Sequence, residues 1–399
     1  MKIVVSHPTG NRNVRAVLNA FEGSDKLERF MTTIATRSAD GWLADRHFDL
    51  PRSKIQIHPI REILRLLFRR LPKNFLTAHE TGPLCIDQVY QSLDLRVAAY
   101  CKKNTNIDAI YCYEDGALET FKTAKAHGIR CIYELPIAYG PYARELTRAD
   151  IERRPDWAHT QIGISDSAAK MDRKREELAL ADTIIVPSDF VEGSIQQAIG
   201  THQTVVKVPY GIDPPVKLQS VNEGPLGPKI KLLFVGALTQ RKGLADIFSA
   251  LKALPASSYE FHIVGGLCAP LKFYTNQGVN FTYHGMLSRD KVLSIMHGSD
   301  LLLLPSIVEG RALVQLEALA MGLPVLATRN AGASDVIKEG ETGFIVPTGS
   351  PDSIVEVIQK LLSRPDQLPQ MRRNCIATAQ SNTWRIFEQQ LVDRISENG

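Results

Sequence analysis

Two carboxylates stand in the otherwise acid-free stretch SIVEGRALVQLEALAMGLPV, residues 306 to 325: Glu309 near its start and Glu317 eight positions on. Leu313, Leu316 and Ala320, at i, i+3 and i+7, predict a helix over 311–321 that stops at Gly322-Leu323-Pro324. On one continuous helix eight residues span about 12 Å, so the two acids cannot share a proton. A glycosidase-type acid/base pair needs carboxyls roughly 5 to 9.5 Å apart across one bond, and the spacing argues against it. The first turn, near Arg311 to Val314, would instead aim unsatisfied N–H groups and the positive end of the helix dipole at an anion such as a diphosphate. Two readings stand for the acids: acceptors that hold hydroxyl groups on either side of that diphosphate, or a helix-start acid that stabilises the dipole plus an exposed mid-helix glutamate.

A second stretch, LLFVGALTQRKGLADIFSAL (232–251), ends a strand at Gly236, carries Arg241-Lys242-Gly243 on a short loop and then turns helical. Two cations at the carboxyl end of a strand are either solvated surface charge or a phosphate clamp, and the neighbouring helix start favours the clamp. A P-loop is excluded because GxxxxGK[ST] needs Gly at 241, which is Arg, and IVGG does not make the dinucleotide fingerprint GxGxxG.

The elements that must position these groups are short β-rich runs alternating with helical patterns, which predicts doubly wound α/β domains with parallel sheets. KIVVS, DAIYCY, RCIYEL and DTIIVPS serve the first half, and the pattern restarts with KIKLLFVG, YEFHIVGG, VNFTYHG, DLLLLPS, LPVLAT and TGFIVP. The restart divides the chain into a first domain, 1–211, a Pro/Gly-rich linker, 212–228, and a second domain, 229–380. A C-terminal helix, 381–399, is expected to return to the first domain. Two such domains face a cleft at their strand carboxyl ends, where ligands bind in this architecture. The net charge of +4 is mild and no dense Lys/Arg run accompanies it, so a nucleic-acid partner is not expected. Six scattered cysteines without a CxxC pair read as reduced thiols of a cytoplasmic protein. MKIVVSHPTG reads as a first strand, not a secretion signal. No Asp-x-Asp pair occurs, and no metal or other cofactor is expected.

With these residues in view the chain resembles retaining glycosyltransferases of family 4, which have the GT-B fold of two Rossmann-like domains about a central cleft. The resemblance is carried by FVGALTQRKG, YHGMLSRDKVLSIMHGSDLLLLPS, PSIVEGRALVQLEALAMGLPVLAT and GASDVIKEGETGFIVP, and covers about residues 230 to 360. It implies a nucleotide-diphosphate sugar as co-substrate. Glu309 would bind the sugar hydroxyls, Glu317 the ribose, and Lys242 with Arg241 the diphosphate. Gly236, Gly310, Ala312, Leu313 and Val314 would line the donor, and Gly285 with Met286 would take the place where the family packs the nucleobase. Two residues depart from the pattern. Ala237 replaces an arginine, leaving the phosphate charge to Arg241 and Lys242, and Arg311 replaces a phenylalanine and either adds a cation near phosphate or sugar or points to solvent.

The first half resembles the family more weakly. Gly10 and Asn11 in SHPTGNRNVRAVL would approach the donor phosphate or the acceptor, with Asn13 a helix cap. Glu134 in CIYELPIAYG would face the sugar or be an exposed strand-end acid, and Tyr113 with Glu114 would touch the acceptor. That acceptor is a glycan, a glycolipid or a lipid-linked glycan. Residues 61–75, REILRLLFRRLPKNF, interleave Arg61, Arg65, Arg69, Arg70 and Lys73 with apolar residues, either to lie on an anionic bilayer or as a core-packed helix with a basic edge. Two other functions fit the same resemblance: a sugar-nucleotide 2-epimerase, and a catalytically silent sugar-nucleotide-binding subunit.

Overall fold

The computed structural model describes residues 1–37, 43–69, 75–104, 106–161, 166–213, 224 and 226–397. Most of the 212–228 linker, and Arg70 and Lys73, lie outside the described residues. Strands β1 (Ile3–Ser6), β2 (Leu27–Thr32), β3 (Ile55–Ile57), β4 (Ala109–Tyr113), β5 (Arg130–Glu134), β6 (Thr183–Val186) and β7 (Thr204–Lys207) form one sheet, ordered β3-β2-β1-β4-β5-β6-β7. Strands β8 (Ile230–Val235), β9 (Tyr259–Val264), β10 (Thr282–Tyr283), β11 (Leu301–Leu304), β12 (Val325–Thr328) and β13 (Gly343–Val346) form a second, ordered β10-β9-β8-β11-β12-β13. The registered pairs in both sheets are parallel. Each sheet is covered on both faces, which is why β1, β6, β11 and β12 are buried at every position and read as near-continuous apolar runs.

Strand β2 escapes an apolar-run reading because Glu28 and Arg29 interrupt LERFMT; they are satisfied laterally, by Lys2 at 3.6 Å and by the Ser53 carbonyl at 2.7 Å. Strand β10 keeps only two residues of VNFTYHG. Asn11 caps the helix Arg12–Gly23 by accepting the Val14 N–H at 2.8 Å, so Asn13 lies inside that helix and does not cap it.

The chain order reverses direction between β1 and β4 in the first sheet and between β8 and β11 in the second. In open α/β sheets such switch points open a crevice at the strand carboxyl ends. The two sheets are tied together in several places. The helix Trp384–Glu397 buries Trp384, Phe387, Leu391 and Ile395 among Ile3, Val5 and Phe21 of the first sheet's core. Beside this return the chain pairs with itself, Ile212 N–H to the Asn382 carbonyl at 2.9 Å and Trp384 N–H to the Ile212 carbonyl at 3.3 Å.

A second tie comes from within residues 1–211. After the helix Gly140–Arg153, the turn Pro155–Thr160 inserts Trp157 among Phe248, Phe273 and Tyr274 of the second domain, at centroid distances of 5.8, 4.8 and 5.8 Å. Arg153 grips Asp246 with two bonds, 2.6 and 2.8 Å, and Arg154 adds a third at 3.0 Å. Asp246 is fully buried, and bidentate pairing of this kind satisfies a desolvated carboxylate.

Residues 61–68 of the basic stretch at 61–75 belong to the helix Ile60–Phe68, which sits the other way round from a core-packed helix with a basic edge. Ile60, Ile63, Leu64 and Leu67 face out and Leu66 and Phe68 are half-buried, while Arg65 turns back to Glu62 at 2.7 and 2.8 Å. Among the described residues no helix is long and apolar enough to cross a membrane.

Candidate active site between the domains

At the switch point of the second sheet, β8 ends against a loop that only glycine permits. Gly236 has φ +148°, and a Cβ there would lie 2.8 Å from Lys242 Cδ and 2.9 Å from Cε, so the missing side chain is the space the lysine stem occupies. Gly243, at φ +74°, brings its backbone so close to Pro305 that a Cβ would sit 2.0 Å from that carbonyl. The β8 loop is thereby pressed against the loop leaving β11, and the Ile307 N–H reaches the Arg241 carbonyl at 2.8 Å.

Both cations converge on one oxygen. Lys242 Nζ and Arg241 Nη1 donate to Glu309 Oε1 at 2.8 and 2.7 Å, and Arg241 also donates to the Val308 carbonyl at 2.8 Å. Burial alone would raise the Glu309 carboxyl, but the Lys242 ammonium and the Arg241 guanidinium outweigh it and hold the group below the usual carboxylate range. Oε2 has no hydrogen-bond partner among the described residues. Beside this cluster begins the helix Leu313–Ala320. It starts two residues later than periodicity predicts, because Ala312 is extended (φ −68°, ψ 106°) and its N–H is spent on the Ala331 carbonyl at 3.2 Å. The Leu313 and Val314 N–H groups have no acceptor among the described residues, which makes them the free end of the dipole. Gln315, Leu316, Ala318, Leu319 and Ala320 are all buried, so the helix is central to the domain.

Glu309 therefore lies in the loop and not on the helix, and the spacing of about 12 Å computed for a continuous helix does not apply to it. The two glutamates are separated all the same by the partners they take: Glu317 accepts Arg289 Nε at 3.0 Å on the outer side. Nearby, Gly285 (φ +70°) gives its carbonyl to the Gly265 N–H at 2.9 Å, and Met286 is 83% exposed, an uncovered apolar side chain at the rim.

Gly310 and Arg311 are both held by contacts within the protein. A Cβ on Gly310 would lie 1.8 Å from the Pro136 carbonyl, and the Gly310 carbonyl accepts Ser188 Oγ at 2.7 Å. This residue is where the domains touch. Arg311 does not point to solvent: it is buried, donates to Asn382 Oδ1 at 2.9 Å and lies 3.9 Å from Asp335. Burial brings its guanidinium down to about 10 against the pull of Asp335. It ties the Glu309 loop to the crossing at Asn382.

On the first domain's side, His7 follows β1. It is buried, with burial lowering its pKa to about 3, and its ring lies 4.5 Å from that of Tyr113 at the end of β4. Glu114 and Asp115 pair with Lys174 Nζ at 2.7 and 2.9 Å. Burial drives the Glu114 carboxyl up in spite of the lysine. A cavity of about 140 Å³ opens between the domains, lined by Glu114, Ala138, Gly140, Lys174, Arg241 and Val308. Larger cavities, about 450 Å³ beside Phe48 and Ile57 and about 490 Å³ beside Asp335 and Asn382, lie away from the switch points. The interdomain cavity is the one that Arg241 reaches.

Gly10 is held against the 44–46 turn, where a Cβ would lie 1.8 Å from the Asp45 carbonyl, and Asn11 is spent on its cap and on His7 at 3.4 Å. Glu134 is neither sugar-facing nor exposed. Its side chain is buried at the end of β5, accepts the Tyr210 hydroxyl at 2.8 Å, and is pushed up to about 7 by burial. Sequence reasoning passed over His7 and Lys174. His7 directly follows a buried strand and was findable on that ground, whereas Lys174 enters the site only because the helix Ala168–Leu180 packs against β5 and the helix Leu118–Ala126.

One group among the described residues has metal-ligand geometry: atoms of His79, Glu80 and Asp166 lie within 4.8 Å of one another. Lys170 Nζ sits 3.4 Å from Asp166 and 2.9 Å from Asp87, so a cation already serves that cluster.

Residues 218–382 match the family model described as Glycosyl transferases group 1. Among curated proteins, the chain is 26% identical over 241 residues to a D-inositol 3-phosphate glycosyltransferase of Corynebacterium urealyticum, covering 53% of this chain and 56% of that one. It is 32% identical over 179 residues to glycogen synthase 2 of Nitrosococcus oceani, covering 40% and 36%. The chain thus spans about half the length, or less, of these curated relatives. Among solved structures it is similar to sucrose-phosphate synthase from Thermosynechococcus elongatus, at TM-score 0.67 and 15% identity over 100% of this chain and 98% of that one. It is also similar to Anabaena HepE in complex with UDP, at TM-score 0.64 and 15% identity over the whole of both chains. Two parallel Rossmann-like sheets with these neighbours make the fold GT-B.

Proposed function

We propose that this GT-B chain, with the group 1 glycosyltransferase pattern in residues 218–382, moves a sugar from a nucleotide-diphosphate sugar to a glycan, glycolipid or lipid-linked acceptor. The observation that carries the reading is the cluster at the second switch point. Two cations share Glu309 Oε1, its Oε2 and the N–H groups of Leu313 and Val314 have no hydrogen-bond partner among the described residues, and the helix begins four residues after Glu309. A diphosphate seated there meets Lys242, Arg241 and the helix start, while Glu309 Oε2 accepts a sugar hydroxyl. Glu317, released from Arg289, is assigned to the ribose, and the rim at Gly285 and Met286 to the base. HepE was solved in complex with UDP, which supports a nucleotide-containing donor.

Transfer proceeds with retention, as the family 4 resemblance implies. The incoming hydroxyl and the departing diphosphate lie on the same face of the sugar, and no protein nucleophile is assigned. The chain's contribution is then electrostatic. The C–O bond to the leaving phosphate lengthens, negative charge builds on the phosphate oxygens, and Lys242, Arg241 and the helix N-terminus stabilise it. These fixed charges do the work without a metal ion in the proposed mechanism. Holding the sugar between Glu309 and the acceptor side, at Tyr113 and Glu114, supplies the orientation. The enzyme works at the cytoplasmic side, in polysaccharide or glycoconjugate assembly.

Incubating the chain with a panel of sugar nucleotides and a total lipid or glycan extract, followed by mass spectrometry, tests this. Sugar incorporation that is lost in Glu309→Ala is expected. Epimerised sugar nucleotide formed without an acceptor would replace the reading by that of an epimerase, and no turnover of any donor would reject it.

A further inference from the structure

The helix Ile60–Phe68 is built inside out. Ile60, Ile63, Leu64 and Leu67, at i, i+3, i+4 and i+7, are the stripe that ordinarily packs on a core, yet all four are exposed, Ile60 by 74% and Leu67 by 62%. Ile57 at the end of β3 and Phe75 beyond the helix are exposed as well. The residue that is buried is the charged one. Glu62 has no accessible surface and takes two bonds from Arg65, 2.7 and 2.8 Å, and one from Arg46, 2.7 Å. A buried carboxylate held this way costs desolvation that an apolar contact would not, and it fixes which face points inward. The orientation is specified by the sequence, so the exposed stripe is not an accident of loose packing.

We propose that this stripe is the surface by which the protein lies on an anionic lipid bilayer. The charges on the helix decide the occupant. Its one acid is the buried Glu62, so its outer face presents no carboxylate, while Arg61 and Arg69 are exposed beside the leucines and isoleucines. An apolar stripe flanked only by cations on a convex helix matches the interface of a bilayer with anionic headgroups. A second copy of the same face would bring the arginines together.

The position of the helix gives the contact a purpose. It begins three residues after β3, at the carboxyl ends of the parallel strands, on the side from which the loops after β1 and β4 enter the cleft. Arg46 joins the two: one guanidinium nitrogen holds Glu62, and the other donates to the Pro8 carbonyl in the loop after β1, at 3.3 Å. A bilayer bound at the stripe therefore lies at the rim of the acceptor side, one buried arginine away from the loop that carries His7. This narrows the acceptor of the proposed reaction to a lipid-borne one, and that step rests on the glycosyltransferase reading.

Vesicle flotation tests the surface without needing donor or turnover. The full chain is mixed with phosphatidylcholine vesicles, with and without phosphatidylglycerol. The wild type is expected to float with the anionic vesicles. Ile63→Ser and Leu67→Ser, on side chains already facing water, keep the wild-type melting temperature and each lower partitioning about tenfold. Arg61→Glu with Arg69→Glu lowers it on anionic vesicles alone. A wild type that does not float, or a Leu67→Ser that floats equally well, overturns the proposal. So does a dimer in sedimentation that Leu67→Ser abolishes while flotation is absent. Flotation with no sugar transfer would leave the membrane surface standing and remove the enzymatic reading; transfer without flotation would do the reverse.

Discussion

Replacing Glu134 by glutamine should make the protein more stable at alkaline pH and leave it unchanged at acid pH. The carboxyl is buried at the end of β5 with the Tyr210 hydroxyl on one oxygen and the Tyr111 hydroxyl close by. Burial moves its pKa from the usual 4.5 to about 7. A carboxyl with a raised pKa binds its proton more tightly when folded, so stability is highest below pH 4.5 and declines as pH rises toward 7. Above that the folded group ionises too and the loss levels off. At about 1.4 kcal/mol per pH unit, the interval from 4.5 to about 7 is worth about 3 kcal/mol. Glutamine keeps the acceptor for Tyr210 and cannot ionise, so Glu134→Gln should match the wild type near pH 4.5 and exceed it by about 3 kcal/mol at pH 8. Glu177, also raised to about 7 by burial, adds a similar slope to both proteins and cancels in the difference. Urea unfolding at several pH values measures that difference directly. Parallel curves would refute the reasoning. A variant that folds normally but loses donor affinity would refute the placement of Glu134 outside the site.

Asp246→Ala removes the carboxylate that Arg153 and Arg154 share at the domain junction and leaves Arg153 its bond to Asp150. The expected loss is about 3 kcal/mol, at the low end for a broken buried pair because Arg153 is one-third exposed and can rehydrate, read as a lower urea midpoint. Gly236→Ala places a methyl 2.8 Å from Lys242 Cδ at a φ of +148°. It should weaken nucleoside diphosphate binding in calorimetry although every charged residue is retained; unchanged affinity would mean that the lysine does not need its present path.

The architecture was legible because both sheets are buried on two faces. Continuous apolar runs such as LLLL at β11 and VLAT at β12 cannot be anything but central strands once helices alternate with them. The edges were less so: β2 carries Glu28 and Arg29 that lateral partners absorb, and β10 is two residues long. In the site, strand-end cations and a helix start could be read from local order, since βα loops gather at one end of a parallel sheet. What escaped were long-range choices. That Gly310 packs on Pro136, that Arg311 turns to Asn382, and that Glu134 points into a core with Tyr210 depend on contacts more than 70 residues apart in sequence. The insertion of Trp157 into the second domain is of the same kind.

The most direct test of the central claim is calorimetric titration of UDP, GDP and ADP into the wild type and Lys242→Ala. A charged hydrogen bond to phosphate is worth about 1.5 to 3 kcal/mol, so the variant should bind the preferred nucleotide about 10- to 150-fold more weakly. Equal affinity in the two proteins, or a wild type that binds none of the three, would contradict a diphosphate site at Arg241, Lys242 and the start of the helix Leu313–Ala320.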